Sequence, residues 1–262
     1  MAPATPSMKF LKEESDQGVA ERRFDIEVAG ETVPGIIWTP ENAKGVRPLL
    51  LIGHGGTQHK RIDTIVARAR RFVRHHGYAV VAIDAPGHGE RLSKEERLRQ
   101  REDRQALAGT GNLWTPERLR EMAERTTRAV GEWKATLNAV EKLDYVGSGS
   151  VGYWGVSMGT AIGVPFLAGE PRVKAAVLGL AGLRPGAADF EKAARSITIP
   201  LMFTFQWDDE VAPREHGLAL YDAFGSTEKS MHINPGPHMG IPPFEREHWE
   251  LFYLRHLGVA NA

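Results

Sequence analysis

The chain has 262 residues, no cysteine, and 33 basic against 33 acidic residues. Its length fits one domain with a sizeable buried core, and the lack of cysteine excludes disulfides, a cysteine nucleophile and thiolate metal sites. Zero net charge argues against nucleic acid or a membrane surface as the partner. No apolar run approaches the roughly 18 residues that cross a bilayer, and the first ten residues lack the pattern of a secretory signal. We therefore expect a soluble, cytoplasmic protein.

The N-terminal part of the chain predicts an extension and then a hairpin. We expect residues 1–18 to be a poorly ordered extension to a single domain over residues 19–262. Apolar residues alternate over residues 24–38 on both sides of a turn at residues 29–32, which predicts a β-hairpin with one buried face.

Short, wholly apolar runs follow, and these are typical of strands covered on both faces. They lie at residues 48–52, 79–83, 151–154, 175–178 and 199–205, with a weaker run at 231–234. Helices are predicted between them, most clearly at residues 117–143, where apolar residues recur at intervals of three or four. The other predicted helices are residues 61–76, 213–224 and 244–257. Pro116 suits the first turn of the longest helix and Thr115 suits its cap. This alternation predicts an α/β fold with a doubly wound, mostly parallel sheet and an antiparallel hairpin at one edge.

Residues 88–116 interrupt the alternation as a long excursion. Nine of the eleven residues from Lys94 to Arg104 are charged, which predicts a solvated surface helix. Long insertions are often functional. The alternative is therefore that this segment forms a partial lid over a functional site, with Leu107, Leu113 and Trp114 turned toward that site. The next long connection, residues 180–199, is too short for a helical cap domain.

Gly155-Val-Ser157-Met-Gly159 lies between a predicted strand and an Ala/Gly-rich stretch. Gly-x-Ser-x-Gly in this context predicts a nucleophile elbow, in which a tight turn pushes the serine hydroxyl out of the sheet. The flanking glycines leave room for the turn. Pro165 predicts that the following helix is short or kinked.

A serine nucleophile needs a base, and the base needs an acid to orient it. Asp208 and Asp209 lie in a polar loop after one predicted strand, and His238 follows the last one. Serine, acid and histidine therefore occur in the order that this elbow requires. His232 and His248 lie within a predicted strand and helix and are weaker candidates for the base.

We expect no cofactor and no catalytic metal. Gly147-x-Gly149-x-x-Gly152 matches the dinucleotide fingerprint formally, but it precedes a strand instead of following one. The histidines before the elbow show neither a His-x-x-x-His pair nor paired carboxylates.

Four further segments resemble an α/β-hydrolase of the small serine esterase and dienelactone-hydrolase-like branch, over about residues 20–257. They are His54-Gly-Gly56, Asp84-Ala-Pro-Gly-His-Gly-Glu-Arg91, Asp209-x-Val211-x-Pro213 and Gly236-Pro-His238. The resemblance implies that Asp209, four residues before Pro213, is the acid. It also implies an oxyanion hole made by the Gly56 and Met158 N–H groups, and a structural role for Asp84. Dienelactone hydrolases themselves use a cysteine nucleophile, so their substrate is not implied.

We therefore predict a metal-free carboxylesterase with Ser157, Asp209 and His238 as its catalytic triad, acting on a small-molecule ester. The candidate pocket residues are His54, Trp114, Trp207 and Met239. A thioesterase, a lactonase, a carbon–carbon bond hydrolase and an acyltransferase are alternatives that use the same triad. A ligand-binding protein with a vestigial triad is the alternative from another class.

Overall fold

The computed structural model describes residues 8–107 and 115–260. Within these residues nine strands form one sheet and seven α-helices connect or flank them. The strands are β1 (Met8–Asp16), β2 (Val19–Val28), β3 (Glu31–Pro40), β4 (Leu49–Gly53), β5 (Ala79–Ile83), β6 (Val151–Val156), β7 (Val173–Gly179), β8 (Leu201–Gln206) and β9 (Lys229–Asn234). The helices are α1 (Asp63–His76), α2 (Lys94–Leu107), α3 (Pro116–Val140), α4 (Met158–Ala168), α5 (Ala188–Ser196), α6 (Arg214–Ala223) and α7 (Glu245–Leu257).

The sheet has the order β1-β2-β3-β5-β4-β6-β7-β8-β9. In this order, β1–β2, β2–β3 and β3–β5 are antiparallel pairs, and every later pair, from β5–β4 to β8–β9, is parallel. The predicted fold class is therefore confirmed, including the hairpin, which is formed by β2 and β3. Its turn lies at Ala29 and Gly30, where both residues have positive φ.

Helices cover both faces of the sheet, which explains why the central strands are apolar on both faces. Phe72 of α1 and Trp249 of α7 pack on one face together with Leu50 of β4. Trp133 of α3 and Phe166 of α4 pack on the other face. No described helix combines the length and the apolar character needed to cross a membrane.

The N-terminal segment differs from its prediction. We expected residues 1–18 to be a poorly ordered extension, and for residues 8–16 this was wrong, because they form β1 and pair with β2 from Met8 to Asp16, with one irregularity at Leu11. All but the first residue of β1 are exposed, so the strand has no buried face to produce an alternating pattern. Backbone hydrogen bonds, which leave no trace in the sequence, form it instead.

The charged excursion begins as a helix. Ser93 caps α2 reciprocally with Glu96, because Ser93 Oγ accepts the Glu96 N–H at 3.1 Å and Glu96 Oε2 accepts the Ser93 N–H at 2.7 Å. Residues 94–99 are exposed. Leu113 and Trp114, which the lid interpretation requires, lie outside the described residues.

A buried ion pair joins the loops that follow β4 and β5. Lys60 Nζ lies 2.7 Å from Asp84 Oδ2, and both side chains are buried. Asp84 also accepts backbone N–H groups of Lys60 and Glu90, each at 2.9 Å. Burial raises the pKa of Asp84, but Lys60 and these hydrogen bonds outweigh it and hold that pKa below its usual range. Gly89 passes so close that a Cβ there would lie 2.2 Å from the Asp84 carboxylate.

Lys60→Met tests this pair, because it removes the cation and leaves Asp84 as a buried, unpaired carboxylate. We expect the free energy of unfolding at pH 7 to fall by about 3–5 kcal/mol. The depressed Asp84 pKa stabilises the wild type above the unfolded-state pKa, and this contribution is lost as the pH falls through the folded-state pKa. Urea unfolding should therefore show a smaller difference at acidic pH. Lys192→Met, at an exposed lysine, is the control, and an equal loss in both variants would contradict a role for the pair.

Candidate active site

Ser157 forms a tight turn between β6 and α4. Its backbone has φ 57° and ψ −119°, a conformation that costs a non-glycine residue about 1–3 kcal/mol. A Cβ on Gly155 would lie 2.8 Å from the Gly159 carbonyl group, and a Cβ on Gly159 would lie 2.8 Å from the carbonyl oxygen of Gly53 at the end of β4. The two flanking glycines therefore give α4 the space to approach both strands, as their spacing in the sequence indicates.

Thr160, in the first turn of α4, braces this elbow. Its Oγ1 lies 2.8 Å from the Gly155 carbonyl oxygen and 2.6 Å from that of Gly179, and it accepts the Gly179 N–H at 2.8 Å. The Ser157 N–H donates to the Gly179 oxygen at 2.8 Å. The hydroxyl thus ties the elbow to the neighbouring strand β7. Thr160 was not predicted, because a threonine after an elbow has no distinctive spacing.

The structure brings together the three residues expected to form the triad. His238 Nε2 lies 3.0 Å from Ser157 Oγ, and His238 Nδ1 lies 2.9 and 2.8 Å from the two Asp209 carboxylate oxygens. With Nδ1–H donating to the carboxylate, the lone pair of Nε2 faces the serine hydroxyl. This arrangement can remove the hydroxyl proton as the oxygen attacks an electrophile.

Asp209 is held ready to accept that hydrogen bond. Its Oδ1 also accepts the backbone N–H groups of Val211 at 2.8 Å and Ala212 at 2.7 Å. Burial raises the pKa of Asp209, but hydrogen bonds from His238 and these N–H groups outweigh it, so the pKa lies below that of an ordinary aspartate. The side chain is therefore ionised at neutral pH.

The two residues beside Asp209 hold the loop that carries His238. Asp208 is exposed, and its Oδ2 accepts the Gly236 N–H at 2.9 Å. Glu210 Oε2 accepts the backbone N–H of His238 at 2.9 Å. Of the two aspartates that the sequence left open, only Asp209 therefore contacts the imidazole among the described residues. The role of Glu210 could not be predicted, because it depends on a contact 28 residues away.

Gly56 and Met158, the residues expected to form an oxyanion hole, follow the carboxyl ends of two neighbouring parallel strands, as Ser157 does. Met158 is the first residue of α4, so its N–H has no acceptor within the helix. Gly56 follows β4, the neighbour of β6. Its loop is fixed by Gln58, whose Oε1 accepts the Gly55 N–H at 3.0 Å.

His54 joins two loops of the site. Its Nε2 accepts the Ala85 N–H at 3.0 Å, so its Nδ1–H donates to the Gly55 oxygen at 2.9 Å. Burial lowers the pKa of His54 to about 4. The ring is buried and neutral at pH 7, with both nitrogens occupied. These contacts are those of a brace between loops, and they leave neither nitrogen for a substrate.

The other candidate pocket residues differ in their surroundings. Trp207 follows β8, is 43% exposed and has the Arg214 guanidinium 3.5 Å from its ring centre. Met239, directly after His238, is 75% exposed. Both offer apolar surface beside the loops of Asp209 and His238. Trp114 lies outside the described residues.

One further group in the described part of the chain has the chemistry of a metal site. His232 of β9 and both Glu245 and His248 of α7 place one ligand atom each within 4.8 Å of one another. Among the described residues, none of these three side chains forms a hydrogen bond to Ser157 or to the imidazole of His238.

The chain is similar to solved structures of esterases. A polyethylene glycol complex of a cold-adapted esterase from an Arctic intertidal metagenomic library is 35% identical, with 94% of this chain and 97% of that chain covered and a TM-score of 0.78. A zinc-bound structure of a cold-adapted esterase from an Arctic intertidal metagenomic library is 30% identical, with 95% of this chain and 99% of that chain covered and a TM-score of 0.73. An acetyl xylan esterase from Paenibacillus sp. R4 is 13% identical, covering 97% and 90%, with a TM-score of 0.70, a likeness that concerns the fold alone.

No protein-family profile matches the sequence, and no curated protein does. The similarity to the polyethylene glycol complex of the cold-adapted esterase nevertheless extends over nearly the whole length of both chains at more than 30% identity. The sheet order and the parallel strands agree with it. The chain belongs to the α/β-hydrolase superfamily, in its esterase branch.

Proposed function

We propose that this protein is a carboxylesterase that hydrolyses esters of small or medium acyl groups through an acyl-serine intermediate. The observation that carries the proposal is the continuous hydrogen-bonded chain from Ser157 Oγ through the His238 ring to Asp209, with links of 3.0 and 2.8 Å. A serine on a strained elbow with a base at this distance has the geometry of an activated nucleophile.

In the first half of the reaction, Ser157 Oγ forms a bond to the ester carbonyl carbon while its proton moves to His238 Nε2. The carbonyl oxygen becomes an oxyanion, which accepts hydrogen bonds from the N–H groups of Gly56 and Met158. When the intermediate collapses, the bond to the alcohol oxygen breaks. His238 returns its proton to that oxygen, so the alcohol leaves and an acyl-serine remains.

In the second half, water takes the place of the alcohol. His238 removes a proton from the water as its oxygen bonds to the acyl carbon, and then protonates Ser157 Oγ as the acyl–serine bond breaks. The products are a carboxylic acid and the free enzyme. Asp209 stays ionised throughout and keeps the imidazole in one orientation.

The similarity to the cold-adapted esterase supports an ester as the substrate. That protein is an esterase, and it is similar to this chain over nearly its whole length. Trp207 and Met239 flank the catalytic loops and offer apolar contact to an acyl or alcohol group.

Ser157→Ala removes the nucleophile and leaves the elbow in place, since alanine can occupy a serine site without new atoms. We expect kcat for p-nitrophenyl acetate and butyrate to fall by about 10⁴- to 10⁶-fold. The control is Ser196→Ala, at an exposed serine at the end of α5, which should keep wild-type turnover. If Ser157→Ala retains most of its activity, the proposal is wrong.

An organophosphate offers an independent test of the same residue. Intact-mass measurement should show one adduct on the wild type, with turnover lost in proportion, and none on Ser157→Ala. An adduct on Ser157 without turnover of any ester would overturn the esterase proposal while leaving the nucleophile assigned.

Asp209→Asn and Asp208→Asn form a matched pair that separates the two neighbouring carboxylates. Asp209→Asn loses the ionised acceptor of the imidazole N–H, and we expect kcat to fall by about 10⁴-fold. Asp208→Asn keeps an oxygen that can accept the Gly236 N–H, so we expect less than about a tenfold change. Both should be measured beside circular dichroism spectra, and equal losses in two folded variants would contradict the assignment of Asp209.

A further inference from the structure

We propose that His232, Glu245 and His248 form a binding site for a divalent transition-metal ion such as Zn²⁺, between β9 and α7. We call these three residues the His–Glu cluster. The proposal does not rest on the esterase activity, because none of the three residues takes part in the proposed reaction.

The ligand atoms of the cluster converge on one carboxylate oxygen. His232 Nδ1 lies 2.9 Å from Glu245 Oε2, and His248 Nδ1 lies 3.4 Å from the same atom. Tetrahedral Zn²⁺ with bonds of about 2.0–2.1 Å to nitrogen and oxygen holds its ligand atoms about 3.3 Å apart. Two of the three separations in the cluster are therefore already near the required value. One ligand atom from each of the three residues lies within 4.8 Å of those of the other two. The His248 ring is half exposed, so it has room to turn toward an ion.

The backbone fixes which side of each residue faces the ion. Glu245 and His248 are three positions apart in the first turn of α7, so they lie on one face of the helix. His232 and Asn234 are two positions apart on β9, and alternate strand residues share a face. Asn234 Nδ2 donates to Glu245 Oε1 at 3.0 Å. This bond orients the carboxylate and leaves Oε2 toward the two histidines, as outer-shell partners of metal ligands do.

The charge of the cluster also favours a cation. Glu245 is buried, and within the described residues its ion-pair partners are His232 and His248, with no lysine or arginine among them. A buried carboxylate needs a compensating positive charge. A protonated histidine can supply it, and so can a metal ion held by two neutral histidines. Two imidazoles and one carboxylate are a ligand set that Zn²⁺ shares with other first-row transition metals, whereas Mg²⁺ prefers oxygen ligands.

The position of the cluster gives the ion a structural role. His232 lies near the end of β9 and Glu245 begins α7, so the cluster joins the two ends of the segment 235–244. That segment carries His238. An ion at the cluster would link the two ends of this segment. Because it binds only the folded protein, its binding would raise the free energy of unfolding.

The test titrates untagged, chelator-treated full-length protein with ZnCl₂ by calorimetry and follows thermal unfolding in parallel. We expect one tightly bound Zn²⁺ per chain, and a Tm that rises by about 5 °C or more at 100 times the measured Kd. MgCl₂ at the same concentrations should leave Tm unchanged. Absence of stoichiometric Zn²⁺ binding would overturn the proposal.

Variants locate the ion. His248→Ala and His232→Ala should each weaken Zn²⁺ binding at least tenfold and abolish the rise in Tm, and His248→Ala should keep the wild-type ester turnover in metal-free buffer. His75→Ala, at an exposed histidine of α1, and His238→Ala should both retain the binding and the rise in Tm. Loss of binding in His238→Ala alone would place the ion at the catalytic histidine, and an unchanged rise in Tm in His248→Ala would reduce the cluster to a hydrogen-bonded carboxylate. Either result would refute the proposed site.

Discussion

The close approach of α4 to the ends of β4 and β6 is the constraint on which the site depends. Ser157 can project from the sheet only because Gly155, Gly159 and Gly53 bring three backbone segments nearly into contact. The Thr160 hydroxyl ties the turn to two strands, because it donates to the Gly155 oxygen of β6 and accepts the Gly179 N–H of β7. The position of Ser157, the proposed nucleophile, is thus set by backbone packing, and a side chain added anywhere in this contact would displace it.

Around this elbow the proposed acid and base, Asp209 and His238, lie on loops, and these loops are tied to each other. Asp208, Asp209 and Glu210 each contact the segment that carries His238, two of them through backbone N–H groups. On the other side, His54 and the Lys60–Asp84 pair tie the loops after β4 and β5 together. Buried polar groups that are paired in this way rigidify the loops that carry them.

Features that depend on local burial or on short spacing could be predicted from the sequence. The central strands are apolar because helices cover both faces, and the Gly-x-Ser-x-Gly spacing is itself the requirement of the elbow. The choice of Asp209 over Asp208 as the acid needed the resemblance to α/β-hydrolases. Two adjacent aspartates have the same chemistry, and only the fold decides which carboxylate faces the histidine. β1 and Glu210 could not be predicted, since backbone pairing forms the first and a contact across 28 residues defines the second.

The exposed strand β1 forms one edge of the sheet, with β9 at the other. An open edge presents unpaired backbone groups to which a strand of another molecule can add. Lys9, Lys12, Glu13 and Glu14 place a dense row of charge of both signs along this edge. A second sheet would have to desolvate those charges before it could pair. The charged residues that deprive β1 of an apolar pattern in the sequence therefore protect the folded protein against edge-to-edge aggregation.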